Sequence, residues 1–253
     1  MKKLFLTLAV LAVSAAAFAQ DREIDLDDIE NFNKVEIAKN NPHVESNLSF
    51  AFPMYFGWSS LTNINYKGEW QAAHTLMNGL AGDFLNMNLG RSFTYGLTLL
   101  DVNLRYGALG FSAGLRWTFM DFVFENNSFT IRPEGNSYAP VAITTNLDPS
   151  YNGKKSKLHA NYFGIPVRLS ANFGKASIYG GASVEYLING FAKYKQPVSK
   201  MQMSGLFNRF RVTVEGGFSY GNLGAFVQYG LTPLFRQDLS DARTLTFGIL
   251  LGL

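Results

Sequence analysis

KLHANYFGIPVRLSANFGKASIYGGASVEYLINGFAKY, Lys157 to Tyr194, is the stretch whose reading decides the fold. From His159 to Phe173 the odd positions become continuously apolar (Phe163, Ile165, Val167, Leu169, Ala171, Phe173), while the even ones carry Tyr162, Gly164, Pro166, Arg168, Ser170 and Asn172. A two-residue period is the mark of a strand with one greasy face. After Gly174-Lys175 the pattern resumes, with Ala176, Ile178, Ala182, Val184, Tyr186 and Ile188 set against Ser177, Tyr179, Ser183, Glu185 and Asn189. A two-residue turn at Gly174-Lys175 puts Phe173 opposite Ala176, Val167 opposite Ala182 and Ile165 opposite Val184, so both apolar sets share one side. Strands of about 15 residues are far longer than the usual 5 to 6 of soluble sheets. The second face is small and polar, and offers no second core. A barrel strand crossing a bilayer needs about 9 to 11 residues, apolar outward and polar inward.

Outward from this hairpin the same grammar continues. Val44 to Trp58 alternates Leu48, Phe50, Phe52, Met54, Phe56 and Trp58 with polar or small residues, and Pro53 predicts a local break in its ladder. Leu89 to Arg105 and Leu109 to Phe124 pair around Gly107-Ala108, with Leu104 opposite Phe111 and Leu100 opposite Leu115. Upstream, Phe93, Tyr95 and Leu97 have the opposite parity, which predicts a β-bulge near Thr98 to Leu100. Leu206 to Tyr220 and Leu223 to Phe235 pair around Gly221-Asn222, with Glu215 opposite Gln228, and Arg243 to Leu253 is the last strand. Ser59 to Asn88, with a short helix in WQAAHTLMNGL, and Glu125 to Ser156 read as long loops. The fold class is therefore all-β: a single antiparallel up-and-down transmembrane β-barrel of 8 strands at 44–253, with short turns at one end and long loops at the other. Ten strands follow instead if Phe32 to Ala38 and part of Ser59 to Asn88 also pair.

The address agrees with a barrel. Lys2 and Lys3, the apolar run Leu4 to Val13 and Ala17-Phe18-Ala19 predict a signal peptide at 1–19. Residues 20–43 form an acidic periplasmic lead-in, whose Asp25, Asp27, Asp28 and Glu30 lack the glycine and final glutamate of an EF-hand loop. Loss of Lys2 and Lys3 leaves 20 basic against 19 acidic residues, which argues against nucleic acid as a partner. There is no cysteine, so disulfides and thiolate metal sites are excluded, and His43, His74 and His159 show no metal spacing. No cofactor is expected.

By parity, Arg116, Arg168, Arg209, Arg211, Glu185 and Glu215 point into the lumen, joined by Asp101 and Arg105 beyond the bulge. An eight-stranded interior is barely wide enough for side chains, so these charges are expected to pair and plug the tube. An outer aromatic girdle is expected from Trp58, Phe93, Phe119, Phe163, Phe191, Phe210 and Phe235, and a periplasmic one from Tyr106, Phe111, Phe173 and Tyr220. Lys154, Lys155 and Lys157, with Lys193, Lys195 and Lys200, fall at the outer edge, where they face outer-membrane lipid and lipopolysaccharide phosphates or plain solvent. His159 near Ser156 is the one place for a rim-sited lipid hydrolase; a rim histidine without chemistry is the plainer reading, and no Gly-x-Ser-x-Gly is present.

YFGIPVRLS at Tyr162 to Ser170, YGGASVEYLINGFAKY at Tyr179 to Tyr194, VQYGLTPLFRQ at Val227 to Gln237 and the closing LTFGILLGL resemble the PorT-like outer-membrane β-barrel family. The resemblance spans roughly Val44 to Leu253; the terminal Leu253 stands where outer-membrane barrels usually carry an aromatic residue. It implies an outer-membrane barrel and brings no catalytic motif; the even strand count behind a signal peptide puts both termini in the periplasm, and the outer-membrane assembly machinery is an expected partner. The family's name-giving member is linked to protein secretion, so secretion components join the expected partners. The expected function is that of a non-enzymatic barrel, structural or binding through its surface loops; a secretion or envelope-assembly accessory, a lipid-modifying enzyme and a narrow pore are the alternatives.

Overall fold

The computed structural model describes residues 44–49, 53–77 and 83–252; the expected signal peptide and acidic lead-in lie outside them. The strands are β1 (Val44–Ser49), β2 (Met54–Thr62), β3 (Phe93–Tyr106), β4 (Leu109–Val123), β5 (Phe129–Glu134), β6 (Ser137–Ala142), β7 (Lys155–Phe173), β8 (Ala176–Lys195), β9 (Ser199–Gln202), β10 (Phe210–Tyr220), β11 (Leu223–Gly230) and β12 (Arg243–Leu251). Eight of them, β2-β3-β4-β7-β8-β10-β11-β12, hydrogen-bond in a ring that closes where β12 meets β2, all antiparallel. The wall is therefore a closed eight-stranded barrel, with no free edge in the ring. β1 continues the line of β2 along β3. Pro53 sits between them, where it cannot donate to a ladder.

The register follows the side-chain code. Phe173 pairs with Ala176, Val167 with Ala182 and Ile165 with Val184. The phase slip in β3 is a register shift between Thr98 and Leu100, so one extra residue restores both faces. A second shift, at Asn161/Tyr162 opposite Ile188, re-phases the upper ends of β7 and β8. Three turns of two residues close the barrel at one end, and their leading glycines, Gly107, Gly174 and Gly221, all have positive φ with open space around them. The requirement there is backbone conformation, which glycine meets without strain. Val44 pairs with Tyr106 and Leu251 with Leu223, so β1 begins and β12 finishes at this same short-turn end.

Outside, the wall is hydrocarbon. Ile165, Val167, Leu169, Ile178, Val184, Ile188, Val227 and Ile249 are all exposed, Leu169 to 66%. An apolar belt of this extent is a lipid-facing surface rather than a soluble one. Aromatics bound it at both levels. Trp117, Phe163, Tyr186 and Phe210 form one row across four neighbouring strands, and Tyr106, Phe173 and Tyr220 stand exposed beside the short turns. Phe163 to Phe173 is the length that a tilted crossing of about 9 to 11 residues needs. Phe235, expected in the outer girdle, is instead fully buried: β11 ends at Gly230, before Pro233, and Leu234 and Phe235 turn inward.

The two long loops are not loose. Gly68–Met77 forms helix α1, and β5 and β6 make a hairpin of their own, followed by the one-turn helix α2 (Ile143–Asn146). Trp70 of α1 and Ile131 of β5, with Phe84, Leu206 and Phe207, pack over the long-loop end of the barrel against Phe122, Leu158, Ala160, Tyr162 and Leu187 from its inner wall, while Ile143 of α2 packs apart with Tyr151 and Tyr194. Trp70 of α1 is wholly buried, donates Nε1 to the Tyr138 carbonyl at 2.6 Å, and meets Phe84 and Phe235 edge-on at 5.4 and 5.1 Å. Tyr66 lies beside Phe84 and accepts a hydrogen bond from the Leu85 amide; burial pushes its phenol up to about 12.

Candidate functional site

The lumen holds the densest chemistry. Glu215 on β10 accepts from Arg168 Nε at 2.5 Å, Arg116 Nη1 at 2.8 Å and Gln228 Nε2 at 3.2 Å. Glu185 on β8 accepts from Arg211 Nη1 at 2.6 Å and Thr118 Oγ1 at 3.0 Å, with Arg116 Nη2 at 3.7 Å. Arg211 also donates to Thr244 Oγ1 at 3.0 Å. The guanidiniums of Arg116, Arg168 and Arg211 lie over the rings of Tyr55, Tyr179 and Tyr162, at 5.1, 5.3 and 5.7 Å. All five charged side chains are buried. A guanidinium can serve separate acceptors from one plane while lying on a ring, as Arg211 does with Glu185, Thr244 and Tyr162, which makes it more tolerable than ammonium in such a place.

The backbone makes room for these groups by a rule visible in the pairing. Glu185 faces Gly164, Arg168 faces Gly181, Tyr55 faces Gly96 and Tyr179 faces Gly217. A Cβ at any of these glycines would collide with the large residue opposite or with backbone. Each of these four bulky groups thus lies over a cross-strand glycine, a pattern that opposite-strand reading of β7 and β8 contains and that parity alone misses.

Of the charges expected inside, Arg209 is not there. It is exposed, in a bend ahead of β10, where no ladder imposes strand parity, and its carbonyl accepts from the Leu187 amide. It lines instead a shallow outer pocket of about 660 Å³ with Phe210, Thr232 and Arg236. Arg105 is also exposed and folds back onto the Gly107 carbonyl at 3.1 Å. Asp101 lies at the short-turn side of the network, held by Asn103 at 3.1 Å and within electrostatic reach of Arg168 and Arg116.

At the long-loop rim Lys155 and Lys157 stand on β7, whereas Lys154 lies in the preceding bend, its carbonyl accepting from Arg91. Lys157 pairs with Asp121 at 2.5 Å, and His159 Nδ1 with the other oxygen of Asp121 at 2.6 Å. His159 stacks on Phe191, whose ring also takes Lys200 Nζ at 3.7 Å. Ser156 is fully buried on the inner side of β7, and alternation puts His159 on the outer side. The two cannot act as a nucleophile–base pair. Among the described residues there is no cluster of metal-ligating side chains.

No protein-family profile and no curated protein matches the chain. A solved structure, that of Neisserial surface protein A (NspA), is 10% identical over 81% of this chain and 99% of its own, with a TM-score of 0.41.

Proposed function

We propose that this chain is a non-conducting, non-enzymatic outer-membrane barrel with both termini periplasmic, which acts through its outer rim and capped loops rather than through its bore. The observation that carries this reading is the interior. Three arginines and two glutamates, all buried, interlock across the tube, and an apolar plug built on Trp70, Phe207 and Phe235 covers its long-loop end. A path for ions would have to break those pairs, and stranding one partner of a dry pair costs several kcal/mol, roughly 3 to 5. The ends of β1 and β12 beside the two-residue turns support the orientation, because tight turns belong on the periplasmic side. Planar-bilayer recordings on the refolded protein should show no stepwise conductance; reproducible ohmic steps would overturn the reading.

The PorT-like stretches at Tyr162 to Ser170 and Val227 to Gln237 favour a second reading, an accessory of secretion or envelope assembly. Pro166 in the first of them interrupts the β4–β7 ladder without changing its register, a local feature beyond generic alternation. Crosslinking in cells should then retrieve a secretion component reproducibly; a barrel that retrieves none has no such role.

A further inference from the structure

The outer face of β7, β8 and β9 places like charges directly opposite one another. Lys157 pairs in register with Lys193, Lys193 with Lys200, and Lys155 with Lys195. Directly opposed like charges destabilise a sheet, and here three such pairs lie side by side. Compensation within the protein is thin: among the described residues, Asp121 is the one carboxylate in ion-pair contact with any of these lysines, and it is shared with His159. Lys200 settles for the face of Phe191. The wall is built at a cost to folding that an anionic partner would remove.

Height identifies the partner. Lys157 stands six residues beyond Phe163, a member of the outer aromatic row. At roughly 3.3 Å per residue that is about 20 Å of strand, or about 15 Å of height at a tilt near 40°. The headgroup layer of an ordinary phospholipid leaflet is only about 5 to 8 Å thick. A phosphoglyceride therefore stops short of the lysine rows, whereas phosphates carried on a membrane-anchored saccharide reach them. We propose that the outer wall formed by Lys155, Lys157, Lys193, Lys195 and Lys200 binds the phosphorylated saccharide headgroup of a glycolipid of the lipopolysaccharide type. Ammonium groups on flexible stems suit this ligand, as point charges that follow phosphates of variable position.

This deepens the proposed placement in an outer membrane and rests on it, and the two fail separately: conductance tests the bore, lipid retention tests the wall. The refolded protein would be titrated in detergent with lipopolysaccharide, with the same lipopolysaccharide stripped of phosphate, and with phosphatidylglycerol, retention being read by native gel. Expected is retention of the phosphorylated glycolipid alone, weakened about tenfold or more when all five lysines become glutamine. Heat-modifiable migration should persist in that variant, and in Lys193→Gln/Lys200→Gln, which keeps the Lys157–Asp121 pair, the lipid-free urea midpoint should equal or exceed that of the parent, since opposed charges have been removed. The pair Lys193→Gln/Lys200→Gln, which leaves the Asp121 contacts intact, should show a smaller loss in the same direction. Undiminished binding by these variants, equal retention of phosphatidylglycerol or of stripped lipopolysaccharide, or a lowered lipid-free midpoint in Lys193→Gln/Lys200→Gln would overturn the proposal.

Discussion

At the level of Arg116 the tube is filled with ions; a few residues farther along the same strands, at Leu61, Phe122, Leu158 and Leu187, it is filled with hydrocarbon. The two fillings obey different rules. A dry charge layer tolerates no missing member, because every group removed strands another. The apolar cap needs filled volume and cover, and its pieces come from separate loops. Along β2 the change of regime can be followed in single steps: Tyr55 lies under the Arg116 guanidinium, Gly57 leaves room, Ser59 Oγ bonds only to hydroxyls, and Leu61 joins the cap.

The hardest test of the contrast is Glu185→Ala. It takes the partner from Arg211 and one of two from Arg116, and should lower barrel stability by about 3 to 5 kcal/mol, read as a fall in the urea midpoint of the detergent-folded protein. Replacing Glu185 and Arg211 together by methionine should cost less than Glu185→Ala alone, because no buried charge loses its closest partner. If the double variant is as damaged as the single one, the layer is held by shape rather than by pairing.

Trp70→Ala probes the other filling. Removing the ring from its site against Phe84 and Phe235 should ease opening of the cap by about 3 kcal/mol, seen as faster protease cleavage in 59–88. The urea midpoint of the barrel itself should hardly move, since the ring of eight strands closes without α1. A midpoint that falls with the cap would mean that the two regions unfold as one.

That difference in rule also explains what was legible in the sequence. The β7–β8 register, the bulge after Thr98 and the inward set Arg116, Arg168, Glu185, Arg211 and Glu215 all follow from a two-residue period, because a ladder on both sides of a strand leaves a side chain only two directions. Arg209 and Phe235 were placed by the same period just past the point where the ladder stops, and there it has no hold. The upper bulge had a trace, the switch from Tyr186 and Ile188 to Phe191, Lys193 and Lys195 on the outer face. The cap had almost none. Trp70, Phe84, Ile131 and Leu206 are separated by loops and belong to one core only once the barrel brings them over its mouth.

Ser59→Ala is the smallest change and falls on the boundary. Ser59 Oγ lies 2.6 Å from Thr94 Oγ1 and 2.8 Å from Thr246 Oγ1, and all three residues are fully buried. Alanine removes the shared partner of both threonines while leaving a space barely larger than before, so the cavity contribution is slight and the loss is almost purely one of hydrogen bonding. Polar rules predict a loss of about 1 to 2 kcal/mol of stability, read as a fall in the urea midpoint, since two hydroxyls are left without their mutual link. Cap rules predict no change, because a methyl in place of a hydroxymethyl suits hydrocarbon as well. A measurable loss extends the all-or-nothing regime of the charge layer up to the last residue before Leu61; a neutral result moves the border down to Tyr55 and leaves the ions as a single thin plate across the tube.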